Sequence, residues 1–425
     1  MESVLNIIAV LLGLAALFGY LNHRFLKLPQ TIGLVVIALL ASLAALGLDV
    51  IAPSLGIGQD LRAVVAGVDF SKTLMQGLLS FLLFAGALHV DLGDLRQRVF
   101  AIATMATFGV LLSTFLVGAS AWAIFQVLGL GIPFIYCLVF GALISPTDPV
   151  AVLGILKTVQ VPRALEAKIA GESLFNDGVG IVIFIIVAAL AVGAGEHGGG
   201  AALGVGGVIE LFLREAVGGA VLGLGTGLAA FFLMRTIDER NLEVIITLAL
   251  VTVTYQIAAA LGLSGPIAVV VAGLLIGNHG VRLAMSEATR AHLTTFWELI
   301  DEILNAVLFL LIGLEVLLIP ADISLLWAAL LTIPVVLASR FVSVSIPITV
   351  LSTFREFTRG AIPVLTWGGI RGGISVALVL SLPASPEREL ILAVTYGVVI
   401  FSIIVQGLTI GALVKRVVPA QSDGL

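Results

Sequence analysis

Two short polar runs interrupt long apolar stretches of this 425-residue chain. The first is Ser145-Pro146-Thr147-Asp148-Pro149, and the second is Gly171-Glu172-Ser173-Leu174-Phe175-Asn176-Asp177-Gly178. Carboxylates and hydroxyls are hard oxygen ligands, suited to cations that prefer oxygen, and the acids can also carry a proton. Ser173 and Asp177 are one helical turn apart and share a face, while Glu172 and Asn176 share the neighbouring stripe. In the first run, Pro146 and Pro149 remove two backbone donors and obstruct a helix, which should break there with Asp148 in the break. Asp148 could equally cap a second half-helix, and capping and cation binding can coexist. The bland alternative for the second run is an interhelical hydrogen-bond cluster.

Two arginines belong with these runs. Arg340 follows Ser339, and Arg371 is central to Trp367-Gly368-Gly369-Ile370-Arg371-Gly372-Gly373, whose glycines can unwind a helix or admit a close backbone. Each guanidinium needs a buried anion, and Glu172 is the obvious candidate for one. The reading for both is that they neutralise and fix the site.

The elements that must position these residues are membrane helices. Hydrophobic residues make up 60% of the chain and charged residues 11%, against roughly 25% charged in a soluble domain. Lipid must therefore be the solvent for much of the chain, and 47 glycines suit closely packed membrane helices. The single cysteine, Cys137, permits no internal disulfide and no metal site by itself, and packing is its expected role. Thirteen apolar segments qualify as spans: 4–21, 31–48, 73–90, 99–128, 132–156, 164–192, 207–235, 242–261, 264–278, 296–319, 322–352, 361–383 and 388–415. The start lacks the basic region of a signal peptide, so 4–21 is expected to be a retained helix. The last span ends close to the C-terminus, so no soluble tail domain is expected. The Gly-rich stretch 193–206 reads as a loop, and 280–295 as a polar segment at the membrane surface.

An odd span count places the termini on opposite sides. With the N-terminus outside, the cytoplasmic segments hold 15 of the 21 Lys and Arg residues, and the outer loops hold 3 (Arg62, Lys72 and Arg388). The other three, Arg214, Arg340 and Arg371, fall within spans. This asymmetry supports both the count and a cytoplasmic C-terminus. The fifth and twelfth spans then run in opposite directions, and each is interrupted around a central charge. That is the pattern of an inverted repeat whose broken helices meet at the midplane. Glu210, Arg214 and Glu215 can reach water from the end of their span. Glu315 is placed to line a vestibule, His89 and Asp91 close the third span, and the remaining histidines show no metal-ligand spacing.

The motifs Ile144 to Val152, Gly171 to Gly178 and Trp367 to Gly373 resemble those of the monovalent cation:proton antiporter family, the branch of bacterial NhaP-type antiporters and eukaryotic sodium/hydrogen exchangers. Phe296-Trp297-Glu298 with Asn305, and Gly313-Leu314-Glu315, extend the resemblance over most of the chain. It implies a single integral-membrane domain of thirteen helices and a homodimer. A core with spans 5, 6, 12 and 13 would move against a dimerisation part. It implies that Asp177 carries the ion or proton, and that Thr147, Asp148 and Ser173 help ligate the cation. Asn176 would brace the crossing of broken helices, and Glu172 would pair with Arg340 or, as the other option, Arg371. Asn176 before Asp177 resembles the electroneutral branch. Where many bacterial relatives carry an acid in the third span, this chain has Phe84-Ala85-Gly86.

The expected activity is exchange of Na+ (or Li+ or K+) for H+ by alternating access, serving pH homeostasis and sodium transport in a bacterial inner membrane. An ionised acid at the midplane is costly, so a proton and a cation should compete for Asp177. No enzyme activity, cofactor or nucleic-acid partner is expected. A passive cation channel would use similar oxygens but needs no single titratable acid at a helix crossing. An intramembrane aspartyl protease would call for Gly-x-Gly-Asp, where this chain reads Phe175-Asn176-Asp177-Gly178.

Overall fold

The computed structural model describes residues 4–51, 62, 77–90, 93, 103–148, 152, 163–196, 205–280, 285–319, 322–353 and 360–417. Pro149, most of the second half of the fifth span, Asp91 and Lys72 lie outside the described residues. Among those described, all regular structure is helical. Eight helical stretches are long and apolar enough to cross a membrane, and three shorter apolar helices accompany them (Leu79–Leu88, Phe134–Ile144 and Gly265–Asn278). Each of the thirteen expected segments contains helix. The molecule is a multi-pass membrane protein, and large apolar side chains such as Val127 (87% exposed) face outward, where only lipid can receive them.

The chain opens with α1 (Val4–Leu21) and α2 (Gln30–Ile51), followed by α3 (Leu79–Leu88), α4 (Val110–Val127), α5 (Phe134–Ile144) and the long α6 (Arg163–Glu196). Next come α7 (Val205–Leu213), α8 (Gly219–Arg235), α9 (Arg240–Leu261), α10 (Gly265–Leu275) and α11 (Glu287–Glu315). The last third holds α12 (Ile323–Leu351), the broken pair α13 (Ala361–Trp367) and α14 (Gly373–Leu380), then α15 (Pro386–Phe401) and α16 (Gly407–Val417). Local chemistry sets several boundaries. Gly262 ends α9 in the left-handed region at φ 64°. Ser264 then caps α10 by accepting from the Ile267 N–H, with Pro266 in the first turn. Ser385 and Pro386 start α15 in the same way.

The polar stretch 280–295, whose residues are helix-prone, is helical from residue 287 onward and runs on into the tenth span. Ser286 caps a single helix that continues from Glu287 to Glu315. No glycine or proline interrupts the sequence between Glu287 and Ile312, so the exposed first turns propagate into the tenth span without a break.

The helices sort into two packing groups. α4, α5, α6, α12, α13, α14, α15 and α16 pack chiefly on one another, and α2, α3, α8, α9, α10 and α11 form the other group, with α1 beside α2 and α11. The groups meet through thinner contacts, mainly of α6 with α3 and α10, and of α11 with α14. The polar runs and both buried arginines lie in the first group. Its closest packing is α4 against α5, where a Cβ on Gly141 would collide with the Thr114 carbonyl oxygen. Gly141→Val should therefore destabilise the protein by about 1–3 kcal/mol through overpacking. Thermal unfolding in detergent should show a lowered midpoint for this variant and no change for Gly13→Ala, where a Cβ meets nothing.

Candidate functional site

The site is built where two helices stop. Helix α5 ends at Ile144, because Pro146 has no N–H to offer the Ala142 carbonyl one turn back. Ser145 turns its hydroxyl onto the Gly141 carbonyl at 2.6 Å and toward Ser113 Oγ at 3.0 Å, which seats the break on α4. Across from it, α13 stops at Trp367 and α14 starts at Gly373. The two breaks bond to each other, with the Asp148 N–H donating to the Ile370 carbonyl at 2.7 Å. The glycines of the twelfth span make this approach possible. A Cβ on Gly372 would overlap the Asp148 carboxylate, and one on Gly369 would stand 2.7 Å from Arg340 Nε.

Arg371 serves the broken backbone. Its Nη1 donates to the carbonyls of Ser145 (2.5 Å) and Pro146 (2.8 Å), which the break leaves without helical partners. Its own N–H is held by Ser402 Oγ at 2.8 Å. Ser402 donates in turn to Gln406 Oε1 at 2.6 Å, and Gln406 Nε2 donates to the Trp367 carbonyl at 2.9 Å. Ser402 and Gln406 bound a π-turn between α15 and α16, so both edges of the second break are tied to one short segment of the last span.

Arg340, from α12, pairs with Glu172 instead, Nη2 to Oε1 at 2.7 Å, with both side chains buried. Glu172 also accepts from Asn176 Nδ2 at 3.2 Å, and the same amide reaches Thr147 Oγ1 at 3.4 Å. Ser173 donates to the Thr147 carbonyl, and Thr147 Oγ1 lies 3.4 Å from Ser173 Oγ. Asp177 is 4% exposed, and its Oδ1 has no hydrogen-bond partner among the described residues. The charges that act on it are Asp148 and Arg371. The structure thus gathers Thr147, Asp148, Glu172, Ser173, Asn176, Asp177, Arg340 and Arg371 into one buried region. Among the described residues no three acids, histidines or cysteines converge as a metal cluster. The oxygens on offer are mixed: carboxylate, hydroxyl and carbonyl.

Other charged residues lie apart. Arg214 is exposed and caps the Leu261 carbonyl at 2.9 Å. Glu315 is buried at the end of α11, within electrostatic reach of Arg388 and Tyr396. His89 stands 3.7 Å from Glu298. Ser402 and Gln406 are the residues that reading the sequence missed. A serine and a glutamine in an apolar span give little signal, because both act on backbone groups that only the fold brings near.

An all-helical membrane bundle with two interrupted helices crossing at buried acids has the architecture of an ion-coupled secondary carrier. The chain belongs to the sodium/hydrogen exchanger transmembrane family, whose model matches residues 12–416. It is 49% identical over 424 residues to the Na(+)/H(+) antiporter NhaP of Pseudomonas aeruginosa, covering 98% of each chain. It is 34% identical over 395 residues to the Na(+)/H(+) antiporter NhaH of Halobacillus dabanensis, covering 92% of this chain and 93% of that one. The fold matches the solved sodium proton antiporter MjNhaP1 from Methanocaldococcus jannaschii with a TM-score of 0.72 at 18% identity, over 97% of this chain and 98% of that one.

Two outcomes test the supports of this site. Glu172→Gln leaves the Arg340 guanidinium buried without its anion, and should cost about 3–5 kcal/mol. The thermal midpoint should fall accordingly, and Glu172→Gln with Arg340→Met should recover most of the loss. Gln406→Leu should unfasten the Trp367 carbonyl and lower the exchange rate about tenfold or more, measured in vesicles at equal protein content, while Gln406→Asn retains part of it.

Proposed function

We propose that the chain exchanges Na+ for H+ by alternating access, with the two ions competing for Asp177. The observation that carries this reading is a charge imbalance of one. Among the described residues the crossing holds three carboxylates (Asp148, Glu172 and Asp177) and two guanidiniums (Arg340 and Arg371), which leaves one negative charge when all are ionised. A single monovalent cation or a single proton neutralises it, and a buried region of this kind is stable only when neutral. If the carrier reorients only in a neutral state, each passage takes one Na+ or one H+. The two fluxes are then coupled one to one without a separate gate, and exchange is electroneutral.

Each residue has a part in this cycle. Asp177 takes the ion or proton. Asp148, the Thr147 backbone and the Ser173 hydroxyl supply further oxygens. Ser173 donates to the Thr147 carbonyl and accepts from Thr147 Oγ1, which leaves one lone pair to face a cation. Asn176 and the Glu172–Arg340 pair fix that arrangement. Arg371 stabilises the carbonyls of the break and offsets the second acid.

The packing groups support a division of labour. The group that holds the site, with spans 5, 6, 12 and 13 joined by spans 4 and 11, is the moving core. The other group anchors it and supplies the surface for a homodimer. In a bacterial inner membrane the Lys and Arg asymmetry favours the N-terminus outside. A channel reading lacks support from this geometry, since a pore has no need of a region that one proton or one cation makes neutral. A protease reading would need a path for water and peptide to two facing aspartates, and here Arg371 stands close to both acids.

The test is reconstitution in liposomes with a trapped pH dye and addition of Na+, K+ or Li+, with and without a potential clamp. Proton movement driven by Na+ that survives the clamp is the expected result. Asp177→Asn should abolish it, and full transport by that variant would sink the mechanism. Competition also fixes the pH dependence. In the range where the proton occupies most of the sites, each unit of acidification should raise the apparent KM for Na+ about tenfold with little change in maximal rate.

A further inference from the structure

Glu243 is an acid that the exchange site does not use. It lies in the first turn of α9, is 0% exposed, and has neither carboxylate oxygen hydrogen-bonded among the described residues. A buried, ionised carboxylate without a partner is too costly to keep, so the group needs a proton or a bound cation. Its surroundings decide between them. One turn further on, Thr247 is also fully buried. Its Oγ1 accepts from Trp297 Nε1 at 3.1 Å and donates to the Val244 carbonyl at 2.9 Å. Asp238, in the turn before α9, is the charge that acts on Glu243. Asp238 Oδ1 already accepts from Ser286 Oγ at 2.8 Å and Thr289 Oγ1 at 3.0 Å, both at the start of α11.

Among the described residues no side-chain cation serves Glu243 as a counter-charge. Arg235 at the end of α8, Arg240 on α9, and Arg290 and His292 on α11 are exposed, and none of them acts on it. Glu239, next to Asp238, and Glu287 and Glu298 on α11 are exposed as well. His89, beyond α3, faces Glu298. Between Gly265 and Leu275, α10 carries no charged residue. A sodium ion would need several oxygens around it, and the neighbouring hydroxyls are already engaged. One proton satisfies the site.

We propose that Glu243 is a second proton-binding site, separate from Asp177 and housed in the other packing group, that couples proton concentration at the cytoplasmic rim to carrier activity. Neutral Glu243 lets α9 dock on α11 through the bond from Trp297 to Thr247. Ionised Glu243 draws in water and repels Asp238, whose carboxylate fastens the turn before α9 to α11. Losing the proton therefore loosens the anchor against which the core moves. The effect on transport rests on the exchanger reading, but the proton site itself does not.

The experiment treats the full chain in liposomes with a hydrophobic carbodiimide, which modifies carboxyls only in their protonated form, and maps adducts by mass spectrometry from acid to alkaline pH. Adducts at Glu243 that fade toward alkaline pH, and that persist in Asp177→Asn, are expected. In parallel, Glu243→Gln should flatten the dependence of exchange on internal pH by about fivefold or more. Its KM for Na+ at fixed pH should stay near that of the parent, and Glu243→Asp should restore the dependence. The absence of Glu243 adducts at every pH overturns the site. A parental pH profile in Glu243→Gln overturns its role. If the unmodified chain transports nothing, the exchanger reading fails, while the adduct map still decides whether Glu243 holds a proton.

Discussion

A helix that stops inside a membrane leaves carbonyls and N–H groups with no water to receive them, and this protein stops two helices at the same place. Much of the surrounding structure answers that constraint. The first break donates to the second, from the Asp148 N–H to the Ile370 carbonyl. The remaining carbonyls of the first break are gathered by a single guanidinium, that of Arg371. That cation must then be offset, which draws acids into the same region, and among the described residues the acids there outnumber the arginines by one. In the proposed cycle the transported ion completes that balance.

This ordering explains why the two arginines are not equivalent. Arg340 forms a closed pair with Glu172, two charges that cancel and stiffen α6 against α12. Arg371 holds backbone, so its charge is spread over carbonyl dipoles and remains felt by Asp177. One arginine makes the site rigid and the other sets its electrostatics. Both are buried in the group of helices that packs on itself, whose contacts with α3, α10 and α11 are thinner.

Much of this was legible in the sequence because polar residues in apolar spans are conspicuous. Asp148, Glu172, Ser173, Asn176 and Asp177 announce themselves by cost alone, and Pro146 announces the break. What could not be read was connectivity. Glu172 had two candidate cations of identical chemistry, and only the approach of Gly369 to Arg340 and of Gly372 to Asp148 separates them. Ser402 and Gln406 left no trace because their partners are main-chain atoms. Glu243 sits one turn from Arg240 at a span end, where an acid ordinarily reads as interfacial, and it is buried in a helix that packs on α10 and α11, which follow later in the sequence.

The π-turn at Ser402–Gln406 has a consequence for how this chain can vary. A π-turn holds one more residue than an α-helical turn in the same length of axis. Removing any single residue from it would restore an ordinary helical turn, in which Ser402 and Gln406 stand one residue closer and no longer keep their present spacing. Gln406 would then leave the Trp367 carbonyl, even though both side chains were still present. Substitutions among Ile403, Ile404 and Val405 need only fill similar space, whereas an insertion or deletion there would release the two edges of the second break. In this stretch the number of residues carries more information than their identities.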